Sequence, residues 1–172
     1  MNIIVAVNSD WGIGFNGTQS IVIPEDRRRF KELTEGGVVI TGRKTFDDFF
    51  GLLPNRKNII LTRDKNYKVD GAVISFSIDD ALAEVSDDPA EKVFVLGGES
   101  IYKSLLPKCA FAYVTKIEAA PPSDTFFPNL DELPDWVVVD EGPKRGHKVY
   151  SKNHEDVISY SFVLYKNRLV DI

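Results

Sequence analysis

Short apolar, β-branched runs that alternate with helical segments predict an α/β fold, a mostly parallel central sheet flanked by helices on both faces. Glycines that close several of these runs place turns where strands pass into helices. The last third carries two strand patterns with no helix between them, which predicts an antiparallel C-terminal hairpin at one sheet edge. Right-handed crossovers then put a ligand site at the C-terminal ends of the parallel strands.

The elements follow in order. Residues Asn2 to Asn8 read as a strand buried on both faces, leading into a polar loop from Ser9 to Ser20 that contains Gly12, Gly14 and Gly17. Pro24, followed by Glu25 and Asp26, opens a helix that ends near Gly36-Gly37. Val38 to Thr41 is a second buried strand, and 43–50 a helix with Phe46, Phe49 and Phe50 on one side. Strands are expected at Asn58 to Thr62 and Ala72 to Ser75, then a helix from Ile78 to Val85 capped by Ser77. Lys92 to Leu96 is a strand, Ser100 to Leu106 a helix, and Ala110 to Ile117 a strand; Trp136 to Val139 and Ile158 to Tyr165 supply the hairpin.

With 172 residues, the chain is expected to form a single domain spanning 1–172. A formal net charge of −5 argues against general nucleic-acid binding. One cysteine, Cys109, excludes an internal disulfide and a Cys-rich metal site, and the two histidines, His147 and His154, are too isolated to suggest a metal. The apolar run at Ile3 to Val7 is too short for a signal peptide or membrane anchor, so a cytoplasmic protein is expected, acting as a monomer on a small molecule.

Four segments carry chemistry. On the helix after the long loop, Ile23, Asp26, Phe30 and Leu33 share one stripe, while Arg28, Lys31 and Glu32 face away. Asp26 is either a first-turn acid favoured by the helix dipole or a carboxylate that meets an amidine-like ligand edge. The run Arg27 to Arg29 reads as a solvated face, with Arg27 bordering the stripe. Gly42-Arg43-Lys44-Thr45 ends a strand in glycine and starts a helix with two cations, either a solvated turn or a phosphate site. Leu61-Thr62-Arg63 delivers a hydroxyl and a guanidinium to the same edge. Several phosphates on one ligand, as in NADPH with its phosphorylated ribose, would account for these cations. Gly97-Gly98 is either a tight turn or a close backbone approach to a ligand, and it is not a G-x-G-x-x-G fingerprint.

Taken in order, these segments resemble dihydrofolate reductase from Asn2 to about Tyr165. The matching pieces are Ile4-Val5-Ala6-Val7 with Gly12-Ile13-Gly14, Ile23-Pro24-Glu25-Asp26 with Phe30-Lys31, Gly42-Arg43-Lys44-Thr45, Leu53 to Asn58, Leu96-Gly97-Gly98 with Ile101-Tyr102, Tyr113-Val114-Thr115, and Asp124 to Pro128. The resemblance implies NADPH-dependent reduction of 7,8-dihydrofolate at C6 of the pterin. It makes Asp26 the acid that binds the pterin, supported by Thr115. It makes Phe30, Phe49 and Leu53 the pocket wall, Val5, Ala6 and Leu96 neighbours of the ring, and Arg56 the partner of the substrate's glutamate. Arg27 stands where relatives carry an apolar residue. For the cofactor it implies Ala6, Ile13, Gly14 and Gly17 on the lid side; Gly42, Arg43, Lys44, Thr45, Leu61, Thr62 and Arg63 at the phosphates; and Leu96 through Tyr102 (with Glu99, Ser100 and Ile101) and Thr125 around the remainder, with Gly97-Gly98 as a cis peptide. The loop from Ser9 to Ser20 would be a flexible lid. Ser20-Ile21 replaces the family's usual Pro-Trp, and Arg63 would substitute for an arginine missing after the glycine pair. A pyrimidine reductase of riboflavin synthesis shares fold and cofactor, but Asp26 and Arg56 favour folate; a non-catalytic NADPH-binding module is the remaining alternative.

Overall fold

The structure, a computed structural model, describes residues 1–151 and 154–171; the side chains of residues 49, 50, 151 and 154 lie outside the description. Eight of its strands run in the order β10-β11-β7-β1-β6-β3-β4-β5, with β9 also paired to β11. In chain order these are β1 (Asn2–Val7), β3 (Val38–Gly42), β4 (Lys57–Leu61), β5 (Ala72–Ser75), β6 (Val93–Gly97), β7 (Phe111–Ile117), β9 (Trp136–Glu141), β10 (Arg145–Ser151) and β11 (His154–Asn167). A separate ribbon pairs β2 (Gly12–Gly14) with β8 (Thr125–Phe126).

From β5 across to β7 every pairing is parallel, and β11 turns the sheet antiparallel by pairing with β7, β9 and β10. The parallel strands are apolar on both faces because helices cover both. On one side α1 (Pro24–Thr34) packs with Ile4, Phe30, Leu33 and Leu53 against Val39, Phe94 and Leu96, and the adjoining Ile23, Ile117 and Tyr160 form a small second cluster. On the other, α3 (Ile78–Glu84) and α4 (Glu99–Leu105) bury Ala81, Tyr102 and Leu105 in the main core. Ser77 caps α3 as expected, its Oγ accepting from the Asp80 N–H at 3.0 Å.

Two features depart from the sequence reading. The segment 43–50 is one short α turn, α2 (Arg43–Thr45), which widens into a π-helical turn over Phe46–Phe50. Phe46 is buried there, while the expected contributions of the Phe49 and Phe50 side chains lie outside the described residues. The C-terminal hairpin is larger than predicted. Its first arm is β10, a strand with glycine, histidine and lysine in its middle that carries no hydrophobic alternation, so pattern alone does not reveal it. It forms because β11 runs for 14 residues and offers an edge beyond the reach of β9.

Candidate active site

The C-terminal ends of β1, β3, β4 and β6 open into one long cleft of about 1980 Å³. Its inner end is floored by Val5 and Ala6 and walled by Phe30 and Leu53, with Leu96 beside them. Asp26 lies there, mostly buried, in the first turn of α1. The Thr115 hydroxyl, only 2% exposed, donates to its Oδ1 from β7. Burial pushes the Asp26 carboxyl above the ordinary carboxylate range, while the Thr115 hydrogen bond and then the charges of Arg29 and Arg27 pull it back. Burial thus wins over three favourable interactions, and the site leaves a carboxylate in want of a complementary cation or donor pair.

Arg56 stands at the mouth of this end, and the protein holds it in place. Its Nε donates to Thr34 Oγ1 at 2.9 Å, Nη1 to the Pro54 carbonyl at 2.8 Å and Nη2 to the Lys31 carbonyl at 3.4 Å. Thr34 donates in turn to the Phe30 carbonyl at 2.8 Å. The loop that carries Arg56 is pinned by buried Asn58, whose Nδ2 donates to the Leu53 and Arg56 carbonyls and whose Oδ1 accepts from the Leu53 N–H. Arg27 is exposed on the rim, and Lys31, expected to face away, lines the cleft as well.

The outer half gathers three cations, with Asp47, Asp48 and Asp64 on the same lining. Arg43 and Lys44 with Gly42 and Thr45, and Leu61, Thr62 and Arg63, meet at neighbouring strand ends. Arg43 Nε lies 3.4 Å from Asp47, and its guanidinium lies over the Tyr67 ring. Among the described residues Lys44 and Arg63 take part in no ion pair. Phe76 and Ser77, which the sequence reading did not place at the cleft, line the same end. They follow β5, so the rule that ligands meet the C-terminal ends of parallel strands points to them once the strand order is known.

Between the two halves lies the glycine pair, joined by a cis peptide. A side chain at Gly98 would meet Thr45 Oγ1 at 2.9 Å, and one at Gly97, whose φ is +109°, would meet the Tyr102 ring at 2.8 Å. Gly97 itself does not line the cleft, whereas Gly98, Glu99, Ser100, Ile101 and Tyr102 do. The buried Tyr102 hydroxyl lies 2.8 Å from both the Ile4 and Leu96 carbonyls, tying β1 to β6 beneath the cleft. Glu99 accepts from Lys103 at 2.8 Å and from the Phe126 N–H at 3.0 Å, and the Lys103 bond leads the interactions that hold its carboxyl below the usual range.

The Ser9 to Ser20 segment contributes Ile13, Gly14 and Gly17 to the cleft, with Thr125 opposite. It is more structured than a plain flexible loop. Trp11 is buried, its N–H bonded to the Asn8 carbonyl at 2.9 Å, and Asp124 accepts from the Asn16 N–H at 3.0 Å. Ile21, where a tryptophan was the family expectation, packs against Ile23, Ile117 and Tyr160.

A family model described as dihydrofolate reductase matches residues 1–167. The dihydrofolate reductase of Staphylococcus haemolyticus is 38% identical over 146 residues, 84% of this chain and 86% of its own. The chain belongs to the dihydrofolate reductase family. That of Bacillus subtilis strain 168 is 32% identical over 168 residues, 98% of this chain and 95% of its own. The solved dihydrofolate reductase of Enterococcus faecalis, complexed with NADP(H) and RAB-propyl, superposes with a TM-score of 0.78 at 28% identity, covering 96% and 95% of the two chains. Within this chain, sequence reasoning missed Arg29: it is half-buried, its guanidinium 4.4 Å from the Phe162 ring centre and 5.6 Å from that of Tyr113. The run Arg27 to Arg29 is therefore not a uniformly solvated face. An arginine one helical turn after Asp26 was a usable signal, but its aromatic partners come from distant strands.

Proposed function

We propose that the cleft reduces 7,8-dihydrofolate to tetrahydrofolate with NADPH, the dihydropterin lying against Asp26 and the cofactor along the basic strand ends. The observation that carries this reading is a buried carboxyl, held by Thr115 at the apolar end of a cleft whose other end gathers cations.

The residues fit NADPH. Lys44, Arg63 and Arg43 with the hydroxyls of Thr45 and Thr62 suit several phosphate groups, and Gly98 leaves a gap against Thr45 that any side chain would fill. When bound, NADPH supplies the hydride that C6 of the pterin accepts. Asp26 would bind the amidine-like edge of the pterin and polarise the ring towards protonation at N5, with water bringing that proton. Thr115 holds the carboxyl at the required place, and Phe30, Leu53, Val5 and Ala6 exclude bulk water from the ring. Arg56, preset by three hydrogen bonds to the protein, would take the substrate's glutamate carboxylate with its remaining N–H groups. Ala6, Ile13 and Leu96 would orient the nicotinamide against the pterin, which is the proximity contribution to rate.

The chain would act as one domain and as a cytoplasmic monomer without a nucleic-acid or membrane partner; no helix among the described residues is long and apolar enough to cross a membrane. Mixing the purified protein with NADPH and dihydrofolate tests the reaction through loss of the nicotinamide absorbance. Turnover supports the assignment; NADPH binding without oxidation overturns it. Light scattering of the eluted protein tests the monomer.

A further inference from the structure

Helix α1 begins without a side-chain cap: Ile23 precedes Pro24 and makes no capping hydrogen bond. Besides Asp26 on Thr115, Glu25 ties its first turn to the sheet. The Glu25 carboxylate accepts from the Arg145 guanidinium and from the buried Tyr160 hydroxyl. Arg145 and Tyr160 are direct cross-strand partners on β10 and β11, and across β11 and β7 Tyr160 faces Ile117 while Phe162 faces Thr115. Strand side chains alternate with period two, so Arg145, Tyr160, Phe162, Ile117 and Thr115 share the face that α1 covers. One sheet face therefore grips consecutive helix residues: Glu25 through Tyr160 and Arg145, and Asp26 through Thr115. One turn further along, Arg29 lies over Phe162, whose ring also meets the Arg145 guanidinium at 5.5 Å and the Tyr160 ring edge to face at 5.8 Å.

We propose that Glu25, Tyr160 and Arg145 form a clamp that positions Asp26 on Thr115, making them positioning residues for dihydrofolate reduction. This rests on the reading that Asp26 receives the pterin. None of the three lines the cleft, so they act through the helix turn and not by touching substrate. Besides the Thr115 hydroxyl from β7, which bonds to it, the Asp26 carboxyl is coupled through space to Arg27 and Arg29 from its own helix and to the hydroxyls of Tyr160 from β11 and Tyr102 from α4. Burial is the largest influence among them, and a freed first turn would admit water. Loosening the clamp should therefore lower the carboxyl's pKa towards its ordinary value, as well as weaken the grip on substrate.

The test uses Tyr160→Phe, which keeps the ring packed on Phe162 but removes the hydroxyl, and Arg145→Met on the exposed strand. Both are expected to raise KM for dihydrofolate roughly three- to tenfold, the scale of one lost hydrogen bond, and to move the acid limb of the kcat/KM profile downward. NADPH affinity should stay within about twofold of wild type, since the cofactor end lies on other elements. Arg145→Lys, which keeps a cation on Glu25, should restore most of the loss. The clamp is overturned if both variants keep the wild-type KM and pH profile, or if NADPH affinity falls in step with KM. A wild-type protein without turnover would instead overturn the reduction reading, so the two failures are distinct.

Discussion

Asp26 sets stability against function at a single position. Its carboxyl is raised by burial, so the native state binds the proton more tightly than the unfolded chain, whose aspartate titrates near 3.8. Above that pH the folded protein bears the cost of a buried charge, and its stability falls as pH rises towards the raised pKa. Asp26→Asn keeps the shape and an oxygen for the Thr115 hydroxyl but carries no charge. We expect it to lower kcat/KM by about a hundredfold or more, and to melt higher than wild type at neutral pH. The difference in melting temperature should vanish as the pH falls below 3.8. A variant that melts lower at neutral pH would falsify the burial account. Thr115→Val separates the hydroxyl from the packing. Losing a donor that favours the ionised acid should move the pH profile upward, with a stability loss of roughly 1–3 kcal/mol. That shift is opposite in sign to the one expected from the clamp variants, so the two contributions can be told apart in the same assay.

Among the elements, the parallel strands and α1 were legible in the sequence because each is a continuous apolar run or a clean helical stripe that needs no partner to be recognised. The same patterns located Asp26 on the buried stripe and the cations at strand ends. Other features were hidden because their meaning depends on distant residues. The strand β10 has no alternation of its own, Arg29 shows its role only once Phe162 and Tyr113 lie beneath it, and Glu25 looks like an ordinary first-turn acid until Arg145 and Tyr160 reach it from the far end of the chain. Asn58 is a further case. In sequence it merely opens an apolar run, yet its side chain is the internal frame of the loop that presents Leu53 and Arg56. Asn58→Ala would leave an amide N–H and two carbonyls of that loop without their partner, costing roughly 1–3 kcal/mol. Dihydrofolate KM should rise while NADPH affinity holds, because the cofactor end is built on other loops. Asn58→Asp is expected to fare no better: it keeps the acceptor for Leu53 N–H but sets a carboxylate oxygen against two carbonyls. If Asn58→Asp retains wild-type stability and KM, the side-chain frame is not what holds Arg56.

At the scale of the molecule, the two ends of the sheet serve different purposes. The C-terminal ends of the parallel strands are open and carry the site, whereas the opposite ends are closed by packing around Cys109. There the Ala110 N–H bonds to the Met1 carbonyl at 2.9 Å, and Asn167 Nδ2 to the Cys109 carbonyl at 3.1 Å, so the start of β1, the start of β7 and the end of β11 converge on one fully buried thiol. Burial pushes that thiol from its ordinary 9.0 up to about 12. Burial, helped by the hydrogen bond to Glu25, likewise lifts the Tyr160 hydroxyl from 10.0 to about 12. In each case the folded pKa exceeds the unfolded one, so between pH 9 and 12 the unfolded chain releases protons that the native state keeps, and stability falls as the pH rises. Denaturant midpoints are therefore expected to decline from about pH 9 upward, and Cys109→Ala, although weakened at neutral pH by the lost packing, should decline less steeply over the same interval. The thiol also reports the event directly. Since three strands must part to expose it, its reaction with a disulfide reagent should follow global unfolding, with the denaturant dependence of the whole transition. Modification of Cys109 at a rate independent of denaturant would mean that this end of the sheet frays locally, and that the closed end is no more rigid than the open one.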